Sequence, residues 1–151
     1  MAQPDVTGQA EKEFAQAAKA LATNDTLAAL PHLEHALKLR DFPGWYSYLG
    51  VCVAKERGQH RKGEELCQAS LAAEPGNPDH FVNLARTHLI AGNRAAALQT
   101  LREGMTLGGS PELERLLNSL GERKPPLIPT LSRHNPLNRY LGLLLHRLGL
   151  R

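Results

Sequence analysis

Gly92-Asn-Arg-Ala-Ala-Ala-Leu-Gln-Thr-Leu101 decides the architecture, because its pattern occurs twice more at a fixed distance. A step of 34 residues toward the N-terminus gives Gly58-Gln-His-Arg-Lys-Gly-Glu-Glu-Leu-Cys67, and a second such step gives Asn24-Asp-Thr-Leu-Ala-Ala-Leu-Pro-His-Leu33. Asn24, Gly58 and Gly92 therefore align, as do Ala29, Gly63 and Ala97, and then Leu33, Cys67 and Leu101. Working outward, the same step superimposes Ala36, Ser70 and Gly104, then Leu37, Leu71 and Met105, with no gap. Self-similarity at such a period marks an array of supersecondary units.

Each aligned set has a physical reason. Asn and Gly tolerate the left-handed backbone that ends a helix and reverses the chain. Small residues at 29, 63 and 97 let two helices approach closely, and the larger residue four positions on lies on the same helical face. Pro75 ends one helix, and Asn77-Pro78 opens the next as an N-cap followed by a first-turn proline. Leu49-Gly50 lies 35 residues before Leu84-Ala85, and Pro43 lies 35 before Pro78. The spacing thus puts one extra residue in the turn Lys55-Glu-Arg-Gly58, with a helix over 43–56 before it.

These residues resemble the tetratricopeptide repeat, whose pattern runs W-x2-L-G-x2-Y, then A-x3-F, then P. One copy reads Phe81-x2-Leu84-Ala85-x2-His88 and Ala97-x3-Leu101. The copy before it reads Tyr46-x2-Leu49-Gly50-x2-Val53, Gly63-x3-Cys67 and Pro75. The first is degenerate, with Glu13, Gln16, Ala17 and Ala20 ahead of Ala29-x3-Leu33. The resemblance covers residues 10–109. It implies an all-α fold: a right-handed α-solenoid of about three helical hairpins, with a capping helix over 111–120. Residues 1–9 form a flexible lead and 10–121 the repeat domain.

The resemblance also implies a function, the binding of a peptide or helix on the concave side by an adaptor, scaffold or chaperone-like module. That side is lined by the first helix of each hairpin, on the stripe that packing leaves free. In this register the stripe is Phe14 and Ala18, then Ser47, Tyr48, Val51 and Lys55, then Val82, Asn83, Arg86 and Ile90. An Asn amide bonds to peptide backbone and an Arg supplies a forked donor for a carboxylate, so Asn83 and Arg86 are the polar candidates. The plainer alternative is a solvated helix face. Members that clamp a C-terminal carboxylate use Lys and Asn on the first helix. Phe14 and Ala18 stand there instead, so a chaperone C-terminus is not the expected ligand.

Charge sets the last segment apart. Residues 123–151 carry six basic side chains and no acidic one, whereas the other 12 basic and 15 acidic residues leave 1–122 at −3. Lys124-Pro-Pro-Leu-Ile-Pro-Thr-Leu-Ser132 should be extended, and Asn135-Pro136 should open an amphipathic helix over 136–148. Its leucines need a partner surface. The helix could pack on the last repeat as a further cap, dimerise the chain, or lie on an anionic membrane surface. A fourth option puts the basic 123–134 segment in the more acidic groove. Arg139, Tyr140, Leu144 and Arg147 are the contact candidates.

Other chemistries find little support. No Gly-rich phosphate loop, nucleophile elbow or zincin motif occurs, so no enzyme and no cofactor is expected. His32 and His35 share a helix face, but no carboxylate or thiolate at ligand spacing completes a metal set. Cys52 and Cys67 read as small core residues. Nucleic-acid binding is disfavoured because the basic tail interleaves only Tyr140 among its charges. With 42% hydrophobic content, no signal-peptide core and no membrane-length apolar run, a cytoplasmic setting is the expectation.

Overall fold

The computed structural model describes residues 5–121 and 136–149. It divides into two compact units, Met1–Ser119 and Leu120–Arg151. Among the described residues the regular structure is helical throughout, in the order α1 (Val6–Ala22), α2 (Thr26–Leu39), α3 (Tyr46–Arg57), α4 (His60–Ala73), α5 (Pro78–Ile90), α6 (Arg94–Thr106), α7 (Pro111–Gly121) and α8 (Pro136–Arg147). A single 3-10 turn, Pro43–Trp45, leads into α3. Helix α1 starts ahead of the repeat boundary expected at residue 10, because the Asp5 carboxylate caps it by accepting from Gly8 N.

Helices pair as α1–α2, α3–α4 and α5–α6, and successive hairpins stack through α2–α3, α3–α5 and α4–α5. The repeat-marking turn residues share one backbone state: φ is 59° at Asn24, 65° at Gly58 and 78° at Gly92. The next residues, 34 apart, open the second helices, and the carboxylate of Asp25 and the amide oxygen of Asn93 accept from Ala28 N and Ala96 N. The extra residue of the middle hairpin lies between Val53 and Gln59. There Val53 O accepts from Gln59 N, six residues on, whereas Ala20 O and His88 O accept from Asp25 N and Asn93 N, five on.

The core runs through the repeat positions. Ala29, Ala97, Leu33, Cys67, Leu101 and Ala36 are fully buried, each facing the partner helix or the next hairpin. One apolar cluster joins Ala17 of α1, Ala29, Leu30 and Leu33 of α2, and Cys52 and Val53 of α3. A second gathers Ala10, Ala36 and Trp45, with Phe14 stacked on Trp45 at 4.9 Å. Gly104 leaves room for Phe81 and for fully buried Leu113, by which α7 covers the open end of the third hairpin. Helix α8, described by itself, presents Tyr140, Leu143 and Leu144 as exposed side chains, with Leu148 just beyond its end. The side chain of Arg139 and the segment 123–134 lie outside the described residues.

Candidate functional site

The first helices converge on one cleft. It encloses a shallow cavity of about 210 Å³ whose lining comes from four helices. Helix α1 contributes Ala18, Leu21 and Ala22, and α3 contributes Tyr48. Helix α5 contributes Asp79, Val82, Asn83 and Arg86, a stripe at helical spacing, and α7 adds Glu112.

Five of the expected groove residues, Ala18, Tyr48, Val82, Asn83 and Arg86, meet there. Ser47 and Val51 do not: Ser47 is 0% and Val51 6% exposed. In α3 the stripe is turned inward, Ser47 bonding to Ser70 of α4 and to His80 and Asn83 of α5, and in α5 Val82 and Asn83 are covered almost as fully, at 2% and 4% exposed. Phe14 is also diverted, its ring stacked on Trp45 and set edge-on to Tyr48 at 5.1 Å. Lys55, exposed at the end of α3, and half-buried Ile90 lie beyond the cavity lining.

The polar candidates are already engaged within the fold. Asn83 is 4% exposed and its Nδ2 donates to Ser47 Oγ at 3.0 Å. The Arg86 guanidinium donates to the Glu112 carboxylate, joining α5 to α7. Tyr48 donates its hydroxyl to Asp79 Oδ2 at 2.8 Å. Burial, reinforced by that bond to a carboxylate, holds the Tyr48 phenol protonated well above its ordinary range.

Ser47 anchors a buried polar chain that sequence reading did not detect. Its Oγ lies 2.8 Å from His80 Nδ1, and His80 Nε2 lies 2.6 Å from Glu74 Oε2. Ser47 N donates to Ser70 Oγ at 2.8 Å, and Ser70 Oγ donates to Pro43 O at 2.6 Å. The order hydroxyl, imidazole, carboxylate is that of a nucleophile with its base and acid. Yet Ser47 and His80 are both 0% exposed, so no substrate carbonyl reaches the hydroxyl. An ionised carboxylate only accepts, so His80 Nε2–H donates to Glu74, while Ser47 Oγ accepts from Asn83 Nδ2 and shares a hydrogen bond with His80 Nδ1. The imidazole bond holds the Glu74 carboxyl below its usual range. This chain is a clasp between consecutive hairpins.

The histidine pair acquires a carboxylate that spacing along the chain did not reveal. Glu13 of α1 reaches His32 Nδ1 at 2.7 Å with one oxygen and His35 Nδ1 at 3.2 Å with the other. The contact with His32, more than that with His35, lowers the Glu13 carboxyl. Among the described residues no group of three His, Cys, Asp or Glu side chains has the geometry to hold a metal ion. Cys52 and Cys67 are unpaired thiols, each pushed up to about 12 by burial. No described helix is long and apolar enough to cross a membrane.

Sequence alone would have located part of the missed lining. Asp79 precedes Val82 and Asn83 by three and four residues, and Leu21 and Ala22 follow Ala18 by the same steps. Glu112 carries no such signal, since α7 stands outside the repeat.

Comparison with protein-family models gives no match, and comparison with curated proteins gives none. Solved structures do match in fold. The TPR domain of Arabidopsis OM64 superimposes with a TM-score of 0.59 at 13% identity, over 76% of this chain and 96% of that domain. The Sgt2 TPR domain of Aspergillus fumigatus gives 0.58 at 16% identity, over 89% and 95%. The TPR2B domain of yeast Sti1, solved as a complex with pHsp70, gives 0.58 at 16% identity, over 77% and 98%. With the left-handed turns at 24, 58 and 92 and the close-packed hairpins between them, these superpositions establish that the chain has the tetratricopeptide-repeat fold.

Proposed function

We propose that the chain is a non-catalytic interaction module, an adaptor or scaffold that holds an extended segment of another polypeptide in the cleft of α1, α3 and α5. The observation that carries this reading is the convergence of three first helices, with α7, on one cavity of mixed apolar and polar lining. Its volume, about 210 Å³, lies below the roughly 300 Å³ at which small-molecule sites begin, and suits individual side chains of a longer ligand. The yeast Sti1 domain, solved as a complex with pHsp70, lends support by its shared fold. Buried unpaired thiols suit a reducing, cytoplasmic setting.

A peptide library selected on the protein tests this. Ala22 is exposed and lines the cavity, so Ala22→Trp fills the cleft without entering the core. Selected peptides should lose binding to the variant while its helical circular dichroism and melting stay unchanged. Binders indifferent to the substitution, or no binders at all, would overturn the reading.

A second reading has its own observation. Tyr140 is 71%, Leu143 and Leu144 54% and Leu148 61% exposed, with Arg147 beside them. On this reading α8 provides a further contact surface, for a second copy of the chain or an anionic membrane. Tyr140→Ala combined with Leu144→Ala should then lower the mass in light scattering or abolish sedimentation with phosphatidylserine vesicles. Loss of neither would remove α8 from consideration.

A further inference from the structure

The cleft has a polarity of its own. Arg86 is the one basic side chain in the cavity lining, and its charge is taken up by Glu112. Asp79 accepts only the neutral Tyr48 hydroxyl, and among the described residues no basic side chain pairs with it. The cavity therefore carries one uncompensated negative charge, at the α5 side. Facing it, α1 contributes Ala18, Leu21 and Ala22, all apolar, and α5 adds Val82. An apolar wall with a carboxylate at one end matches a side chain built as a hydrocarbon stem with a terminal cation.

We propose that this cavity receives one lysine or arginine side chain of the bound polypeptide, its stem against Leu21 and Ala22 and its charge at Asp79. The proposal rests on the groove reading above and names the chemistry of the partner: an extended segment presenting a basic residue between small ones. An acidic segment would stand beside Asp79, and to reach Arg86 it would have to displace Glu112. Asp79 also lies in the first turn of α5, where a carboxylate complements the helix dipole. That role affects stability and gives no preference for the partner's charge, so the two are separable.

The experiment uses blocked pentapeptides, acetyl-Gly-Ala-X-Ala-Gly-amide, with X as lysine, arginine, norleucine or glutamate. Each is titrated into the isotope-labelled full chain while the amide resonances of Val82, Asn83 and Arg86 are followed. Lysine or arginine should bind about two- to fivefold more tightly than norleucine, and glutamate more weakly than norleucine. Added salt should narrow the preference. In Asp79→Asn, which keeps an acceptor for Tyr48, the cationic preference should vanish. Glutamate binding as well as lysine, or a lysine preference that survives Asp79→Asn, overturns the inference. Norleucine equalling lysine overturns it while leaving the groove reading intact. No shift with any peptide removes both.

Discussion

Ser47 of α3 and His80 of α5 share a 2.8 Å hydrogen bond with no exposure to solvent at either residue. The bond ties one hairpin to the next, and Asn83 and Glu74 complete its partners. In a repeat array, stability is a sum of units and the interfaces between them, so an interfacial polar bolt acts on the coupling of units. A buried donor or acceptor that loses its partner bears the full desolvation cost.

Ser47→Ala should accordingly destabilise the protein by about 1–3 kcal/mol, because it strands His80 Nδ1 and Asn83 Nδ2 together. Urea denaturation measures the change, with Thr106→Ala on the exposed end of α6 as a control expected within about 0.5 kcal/mol of the parent. Equal effects at the two positions would mean that the clasp contributes nothing to coupling.

The same clasp predicts a pH dependence. The bond from His80 lowers the Glu74 carboxyl below its ordinary 4.5 in the folded chain. The unfolded chain then binds the proton more readily on acidification, so the contribution is fully present above 4.5 and is lost as pH falls through the lower, folded value. Thermal melts of the parent and of Glu74→Gln should differ most near neutrality and converge as pH drops below that window. A difference that stays constant or widens on acidification contradicts the assignment.

Thiol labelling reports on the core. Cys52 and Cys67 have no exposed surface, and burial pushes each thiol up to about 12. Only the thiolate attacks, so an aromatic disulfide reagent at neutral pH should find neither thiol in the native protein and both in guanidinium. Rapid native labelling of either would place the opening of the middle hairpin at low free energy.

How far the sequence speaks depends on the range over which a feature is decided. The turn conformation at Asn24, Gly58 and Gly92 and the close approach at Ala29, Gly63 and Ala97 are set by single residues, and they are legible as letters. The cleft is set by pairs far apart in the chain. Asn83 reaches Ser47 across 36 residues and Arg86 reaches Glu112 across 26, so no local pattern distinguishes an available side chain from a committed one. Burial of Ser47 and Val51 in α3, and of Val82 and Asn83 in α5, follows from contacts between hairpins that no stretch of either helix encodes by itself.

The middle hairpin differs from its neighbours in one more respect, and it yields the sharpest stability test. Where fully buried alanines, Ala17 and Ala29 in α1–α2 and Ala85 and Ala97 in α5–α6, hold the equivalent repeat positions, α3–α4 cross on Gly50 and Gly63. A Cβ at Gly63 would stand 2.6 Å from Gly50 O, 3.0 Å from Ala54 Cβ and 3.1 Å from Thr87 Cγ2. The first of these is backbone and cannot rotate away. Helix propensity alone favours Gly63→Ala by about 1 kcal/mol, so the two effects have opposite signs and the measurement decides between them. Overpacking a close helix crossing costs about 1–3 kcal/mol, and the clash adds contacts with the third hairpin through Thr87. Gly63→Ala should therefore lower the denaturation midpoint, whereas Gly121→Ala, with nothing within 4 Å of the new methyl, should not. A stabilised Gly63→Ala would show that α3 and α4 can part by the width of a methyl group, and that the approach at Gly50 is not required for the hairpin.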